Sequence, residues 1–512
     1  MSSSLFTTNL PDLPSPPASV LASSLPAIIQ GGMGIGVSGW RLARAVSLSS
    51  GLGVVSATGQ DTVFARHLQD GDDGGHLRRA MASFPVPEVT AHAMKRYFRA
   101  GGRPAGAPYR AVPMFQGPGR TEAQALIILS CFCEVFLARE GHVGPVGINL
   151  LTKLQGQTLP SLYGAMLAGV DAVLMGAGIP REIAVVLGQF ARGEAASLRL
   201  DVTGDPVGAP TVLGLDPADY RLAGRILKRP AFLPIVSSNL LASLLVRLPN
   251  HGVSGFVVEG PSAGGHNAPP RGPTRLDESG QPVYGPRDEV DLAALRTIGL
   301  PFWLAGGTGH PGALQAAQAQ GAAGIQVGTL FAYCDESGLD EALKARVLAQ
   351  AEVGGLAVRT DAHVSPTGFP FKVVELTGTL ADPALVQART RVCDLGYLRE
   401  AYRTGTGQLG FRCPAEPVTQ YLAKGGQAEA TTGRQCLCNA LLADIGLGQR
   451  RGDHTELPLL TSGDGLSDVR HLLLRRDHYS AADTLTYLQT GEVPPLPSSD
   501  RPTGVFPGSR PG

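Results

Sequence analysis

Charge is scarce in this 512-residue chain. Asp, Glu, Lys and Arg make up only 17% of it, 43 basic residues balance 43 acidic ones, and just six of the basic residues are lysine. Without a basic excess there is no electrostatic footprint for a nucleic-acid backbone, so no nucleic-acid partner is expected. Long apolar runs are also missing. The most apolar stretch, Ala125–Phe136, falls well short of the ~20 residues that a membrane span needs, and no membrane partner is expected. The opening MSSSLFTTNLPDLPSPPASV has neither a basic n-region nor an apolar h-region and does not read as a secretory signal. Cysteines are few and odd in number, seven in all, which suits reduced thiols in a cytoplasm better than a disulfide framework.

Apolar residues and glycine are plentiful. Apolar residues reach 43%, enough for a sizeable core. Glycine takes 67 of 512 positions, close to twice the ~7% average, with no collagen-like period. Many positions therefore need a positive φ or close backbone approach.

Residues 1–25 are rich in Ser, Pro and Leu and read as an irregular arm. From residue 27 onward, short apolar runs end in glycine-rich loops and helical patterns follow. Eight such runs occur: Ala27–Gln30, Leu52–Ser56, Val146–Leu151, Ala172–Met175, Phe232–Ser237, Gly255–Glu259, Phe302–Ala305 and Ile325–Val327. They are continuous rather than alternating in polarity, as parallel strands buried on both faces should be. Pro160, Pro180 and Pro311 are placed for first helical turns, and Asn239 for an N-cap. Gly169, Gly252 and Gly321 each precede a buried run and suit the left-handed residue that ends a helix. Eight βα units of this kind predict an α/β protein built on a (β/α)₈ barrel, with a doubly wound open sheet as the competitor.

The expected organisation is the arm at 1–25, a barrel over 26–380 with an insertion at about 60–145, and a mainly helical C-terminal extension over 381–512. Further excursions fall at 179–230 and 267–300. Helices are expected at Ala123–Arg139 inside the insertion, and at Asp340–Ala351, Pro383–Tyr402 and Ala440–Ile445 further on. A Pro/Ser-rich tail begins at Pro494.

Gly34, Gly36 and Gly39 match G-x-G-x-x-G in a strand-to-helix context, as a dinucleotide-binding turn requires. The acidic residue that should hold a ribose is missing from the end of the second strand, where Asp61 arrives late. A flexible first loop is the favoured reading. Two later segments, Leu304–Gly309 and Gln326–Thr329, end what would be strands seven and eight. In barrels those loops form the common phosphate site, where bare backbone N–H groups approach an anion and Thr329 adds a hydroxyl. Strand six ends in VEGPSAGGHN, which puts His266 just past a C-terminal strand end, where barrel enzymes carry catalytic groups. Its ordinary pKa lets it act as acid or base near neutrality. Ser262 lacks a nucleophile elbow, so a hydrolase triad is not expected. His310, Tyr284 and Arg287 read equally well as loop residues. Cys393, Cys413, Cys436 and Cys438 lack the C-x₂-C knuckle of a zinc or iron–sulfur site, and buried reduced thiols are the favoured reading.

The order IIQGGM, GLGVVSATG, GINLL, VVEGPSAGGH, WLAGGTG and GIQVGTLF resembles the nitronate monooxygenase (2-nitropropane dioxygenase-like) family over about residues 27–335. That family is itself similar to the flavin-dependent enoyl-reductases of bacterial lipid synthesis. The resemblance implies an FMN cofactor at the strand C-termini and places the family's catalytic histidine on His266. By the same resemblance, Met33 lies against the flavin, Asn149 contacts it, and Gly264 and Gly265 belong to the histidine loop. Gly306, Gly307, Gln326, Gly328 and Thr329 would cradle its phosphate. The family often carries Gln where this chain has Glu259, a side chain that accepts but cannot donate a hydrogen bond when ionised.

The implied reaction is oxidation of an alkyl nitronate with dioxygen, with His266 taking the α-proton of a neutral nitroalkane or positioning the anion. The alternative is NAD(P)H-dependent reduction of an enoyl thioester, with His266 as proton donor or orienter. A flavin-binding protein without turnover is the third possibility. The expected partners are thus a small-molecule substrate and dioxygen.

Overall fold

The computed structural model describes residues 22, 24–119, 121–248, 252–474 and 476–493. Nearly all of the expected N-terminal arm and the tail from Pro494 lie outside the described residues.

All eight apolar runs form strands of one parallel sheet: β1 (Ile28–Gln30), β2 (Gly53–Ser56), β3 (Val146–Leu151), β4 (Ala172–Gly176), β5 (Ala231–Val236), β6 (Phe256–Glu259), β7 (Phe302–Ala305) and β8 (Gly324–Val327). Each strand pairs with its successor, from β2 with β3 through to β7 with β8, and β8 pairs back with β1. A parallel bridge between Ile29 and Leu52 joins β1 to β2 and closes the ring, with Gln30 N donating to Leu52 O and Leu52 N to Ile28 O. The open doubly wound sheet is thereby excluded, and the fold is a (β/α)₈ barrel.

The strands read as continuous apolar runs because both of their faces are covered. One face fills the barrel: Ile29, Leu52, Val54, Ala172, Leu174, Leu233, Val257 and Trp303 form a cluster of their own inside it. Trp303 is fully buried there and donates its indole N–H to Pro26 O at 3.0 Å. The opposite face packs under the outer helices, which follow the strands in sequence from Trp40–Leu48 after β1 to Thr329–Ala332 after β8. The helix-to-strand joints turn as expected, with φ of +79° at Gly169, +52° at Gly252 and +87° at Gly321.

The insertion after β2 is helical: Gln60–Gln69, His76–Ala82, Pro87–Tyr97 and Glu122–Arg139. The last of these is buried nearly all round, which accounts for its unbroken apolar sequence. It lies so close to the helix Gln155–Leu167 that a Cβ at Gly164 would stand 2.2 Å from Ile128 O. Cys131 and Cys133 are buried in this packing, as expected. Glu134, also buried, accepts hydrogen bonds from Trp40 N and Gln60 Nε2 and so ties the helix after β1 to two helices of the insertion.

Some helix boundaries differ from expectation. Pro160 sits in the interior of Gln155–Leu167 rather than in its first turn, buried where packing outweighs the lost backbone bond. Ser238, not Asn239, caps the helix Asn239–Arg247, its hydroxyl accepting from Leu241 N. Asn239 instead exchanges hydrogen bonds with the backbone of Asp291. Pro311 precedes the helix Ala313–Ala319 by two residues.

Beyond β8, helices alternate with small strand pairs. The helix Glu341–Glu352 matches expectation closely, and the helix expected at Ala440–Ile445 begins earlier, at Leu437, and ends at Ala443. The expected helix over Pro383–Tyr402 stops at Ala388, because Arg389 turns extended and pairs with the buried carboxylate of Glu456. The chain then enters an antiparallel hairpin, Glu400–Arg403 with Leu409–Arg412, whose first strand also pairs with Val202–Thr203 of the excursion after β4. Another antiparallel pair, Val358–Asp361 with Phe371–Val374, reaches the barrel mouth. No helix among the described residues is long and apolar enough to cross a membrane.

Candidate active site

A cavity of about 440 Å³ opens at the C-terminal ends of the strands, the size of a small-molecule or cofactor pocket. Every residue that the family resemblance assigned to the site lines it. From the first half of the barrel come Met33, in the loop after β1, and Asn149 on β3. From β6 and its loop come Glu259, Gly264, Gly265 and His266. From β7 and β8 come Gly306, Gly307, Gln326, Gly328 and Thr329.

His266 is held by its own backbone. It forms an antiparallel bridge with Phe371, while Asn267 N donates to Pro370 O and Lys372 N to Gly265 O, both at 2.9 Å. The imidazole meets the Phe371 ring edge-on, with centroids 4.9 Å apart, and Nε2 lies 2.6 Å from Ser365 Oγ. Ser365 Oγ in turn accepts from Thr367 N and lies 2.8 Å from Thr367 Oγ1. Burial, with the nearby Lys153 charge, pushes the His266 pKa down to about 4, so the ring is neutral at physiological pH.

Glu259 departs from the sequence expectation. Burial raises its pKa to about 8, and no group among the described residues hydrogen-bonds to it. Near neutrality it carries a proton and is able to donate as well as accept.

The loops after β7 and β8 form a tight cradle. Thr308 Oγ1 donates to Gln326 O at 2.8 Å and ties them together. Gly306 and Gly307 have φ of +90° and +69°, and a Cβ on Gly306 would stand 2.9 Å from Ser262 Oγ and 3.1 Å from Ala263 N. Only glycine fits there, and its uncovered backbone is what an anion site uses.

Among the buried side-chain oxygens in the lining that lack a partner are Asn149 Oδ1, Asn267 Oδ1 and Gln326 Oε1. Asn149 donates an amide proton to Gly32 O, and its oxygen is left free. Buried acceptors of this kind call for a donor-bearing ligand. A flavin offers donors in its ring N3–H and ribityl hydroxyls and an anion in its phosphate, so the residues present fit one.

Gly34, Ile35 and Val37 of the G-x-G-x-x-G segment line the same mouth. Gly39 caps the helix Trp40–Leu48. Asp61, the late acid, is buried beneath Tyr397, whose hydroxyl donates to it at 2.6 Å, and burial holds its pKa up.

Several residues of the site carried no signal in the sequence. Phe369 and Phe371 line the cavity from the Ser-Pro-Thr-Gly-Phe-Pro turn and the strand after it, with Ser365 and Thr367 of that turn behind His266, and Tyr397, Asp444, Thr461–Gly463 and Gly465 line it from later still. The glycine-rich Thr-Ser-Gly-Asp-Gly at 461–465 is the one local pattern that marked any of them. Tyr284 lines the cavity and donates to Ala268 O, whereas His310 is exposed and its ring lies 3.0 Å from the neighbouring Pro311 O. The late cysteines pair off, Cys393 hydrogen-bonded with Cys413 and Cys436 with Cys438. Among the described residues no three His, Cys, Asp or Glu side chains are arranged to hold a metal.

Residues 231–367 match the family model for nitronate monooxygenase. The matched segment runs from β5 through His266 and the cradle to Thr367, so it contains the histidine loop and both phosphate-loop candidates. No curated protein matches the chain in sequence. Among solved structures, FabK from Thermotoga maritima is similar at 15% identity, over 91% of this chain and 93% of that one, with a TM-score of 0.45. Nitroalkane oxidase from Streptomyces ansochromogenes is similar at 17% identity, over 91% and 96%, with a TM-score of 0.41. The enoyl reductase domain of MlnA from the macrolactin biosynthesis cluster of Bacillus amyloliquefaciens is similar at 12% identity, over 90% and 92%, with a TM-score of 0.42.

Proposed function

We propose that this protein is an FMN-dependent oxidoreductase that oxidises alkyl nitronates with dioxygen. The observation that carries this reading is the neutral, anchored imidazole of His266 in the same cavity as the unpartnered acceptors and the glycine cradle. The family match over the same loops supports it.

When bound, the flavin supplies the electron-transfer chemistry. Gly306, Gly307, Gly328 and Thr329 would hold its phosphate, and Asn149 and Gln326 would accept hydrogen bonds from its ring or ribityl chain. Met33 and Glu259 complete the lining beside it. His266, uncharged near neutrality, takes the α-proton of a nitroalkane at an imidazole nitrogen. Ser365, 2.6 Å from Nε2, fixes the ring's orientation. Catalysis by a base of such low pKa costs driving force, but the base is fully in its active protonation state over the physiological range.

The test is dioxygen uptake by the purified yellow protein, after the released cofactor has been identified by mass. Uptake with ethyl nitronate and no pyridine nucleotide is the expected result. NADPH oxidation driven by an enoyl thioester, without nitronate-dependent uptake, assigns the protein to the reductases instead. Neither activity from a protein that retains flavin leaves a binding protein.

A further inference from the structure

The segment Thr461–Gly465 lies far along the chain from the barrel, yet it is bound into the barrel mouth. Gly265 N donates to Thr461 Oγ1 at 2.9 Å, Gly463 N to Thr329 Oγ1 at 3.0 Å, and Asp464 N to Ser262 O at 3.0 Å. It is tied from behind as well. Val374 N donates to Leu460 O, and the buried Lys372 ammonium lies 2.6 Å from Asp464 Oδ1. The junction leaves no space between backbones. A Cβ on Gly264 would stand 2.9 Å from Gly463 N and from Ser462 C, and one on Gly463 would stand 2.9 Å from Thr329 Oγ1 and 3.0 Å from Ser262 O. Three loops, after β6, after β8 and around Gly463, thus meet at one end of the cavity. That end is the cradle of Gly306 and Thr329.

We propose that Thr461–Gly465 is the outer wall of the cofactor's phosphate subsite, so that this late segment both completes the site and limits it to a flavin mononucleotide. The inference rests on the flavin reading above. A terminal phosphate held at Thr329 fits under a wall built of backbone, whereas the adenylate half of a flavin dinucleotide has to pass through it. Thr329 Oγ already accepts from Gly463 N, so its own proton is free to be directed at the phosphate. The wall therefore also orients the cradle's only hydroxyl-bearing residue among those assigned to it.

Equilibrium titration of flavin-stripped full-length protein with FMN, riboflavin and FAD, followed by flavin fluorescence, tests this directly. Wild type should bind FAD at least about tenfold more weakly than FMN. Gly463→Ala, at a residue whose φ of −78° tolerates a side chain, drives the wall off Thr329. It should weaken FMN about tenfold, the worth of one charge-assisted hydrogen bond, and leave riboflavin, which has no phosphate, within about twofold. Asp464→Asn, which loosens the tie to Lys372 without touching the cradle, should act in the same direction and covers the case in which Gly463→Ala fails to fold. Equal weakening of FMN and riboflavin in a folded variant overturns the proposal. So does unchanged FMN affinity in both variants, or wild-type affinity for FAD equal to that for FMN. A wild type that binds none of the three removes the functional reading itself, and this proposal with it.

Discussion

Ser365 Oγ stands 2.6 Å from His266 Nε2 across 99 residues of chain. The contact joins the loop after β6 to the turn that precedes the strand Phe371–Val374, and Phe371 of that strand carries the bridge that holds His266 in place. Ser365→Ala removes the orienting partner and leaves the backbone bridge. It should lower kcat by roughly three- to tenfold, the worth of one hydrogen bond, with little change in KM. An unchanged kcat, measured by steady-state dioxygen uptake, would show that the bridge alone positions the ring.

The acid limb of the pH–rate profile should fall near pH 4 and not near 6.5, because burial depresses the His266 pKa to about 4. Stability has the corresponding sign. Between about 4 and 6.5 the unfolded chain binds the proton and the folded one does not, so folding gains as pH rises through that window. His266→Gln should flatten this part of the stability curve, as read by denaturant melts of the flavin-free protein at pH 4.5 and 6.5.

Glu259 predicts the opposite slope at higher pH. Its folded pKa of about 8 lies above the ordinary 4.5, so the folded state retains a proton that the unfolded state has lost, and stability falls as pH rises from about 4.5 to about 8. Glu259→Gln removes that loss, and its advantage over wild type should grow from pH 5 to pH 8.5 in the same melts. A constant difference across that range would mean that Glu259 is ionised in the fold.

Gly164→Ala tests the packing of the insertion on the barrel. Its Cβ would stand 2.2 Å from Ile128 O, a backbone atom that cannot swing aside. The helices must separate, at a cost of about 1–3 kcal/mol, seen as a lowered thermal midpoint. Glycine is the poorer helix former, so a stabilised variant would contradict the close approach.

The eight strands were legible because burial on both faces leaves an apolar run that needs no partner to be read. His266 and the cradle glycines were legible for a related reason: they sit directly after those runs. The other wall of the site was not. Ser365, Phe371, Tyr397, Asp444 and Thr461–Gly465 reach the mouth by the docking of elements far apart in sequence, which leaves no local period. Pro383–Tyr402 was misread as helix because the ion pair that ends it, Arg389 with Glu456, spans 67 residues. The protonation of Glu259 was not legible, since its type, not its burial, is what a sequence displays.

Anaerobic mixing of the yellow holoprotein with ethyl nitronate, in the absence of pyridine nucleotide, tests the central claim most directly. The account predicts rapid loss of the flavin's visible absorbance on mixing and its return when dioxygen is admitted. A flavin that keeps its absorbance with nitronate but loses it with NADPH alone would contradict the account.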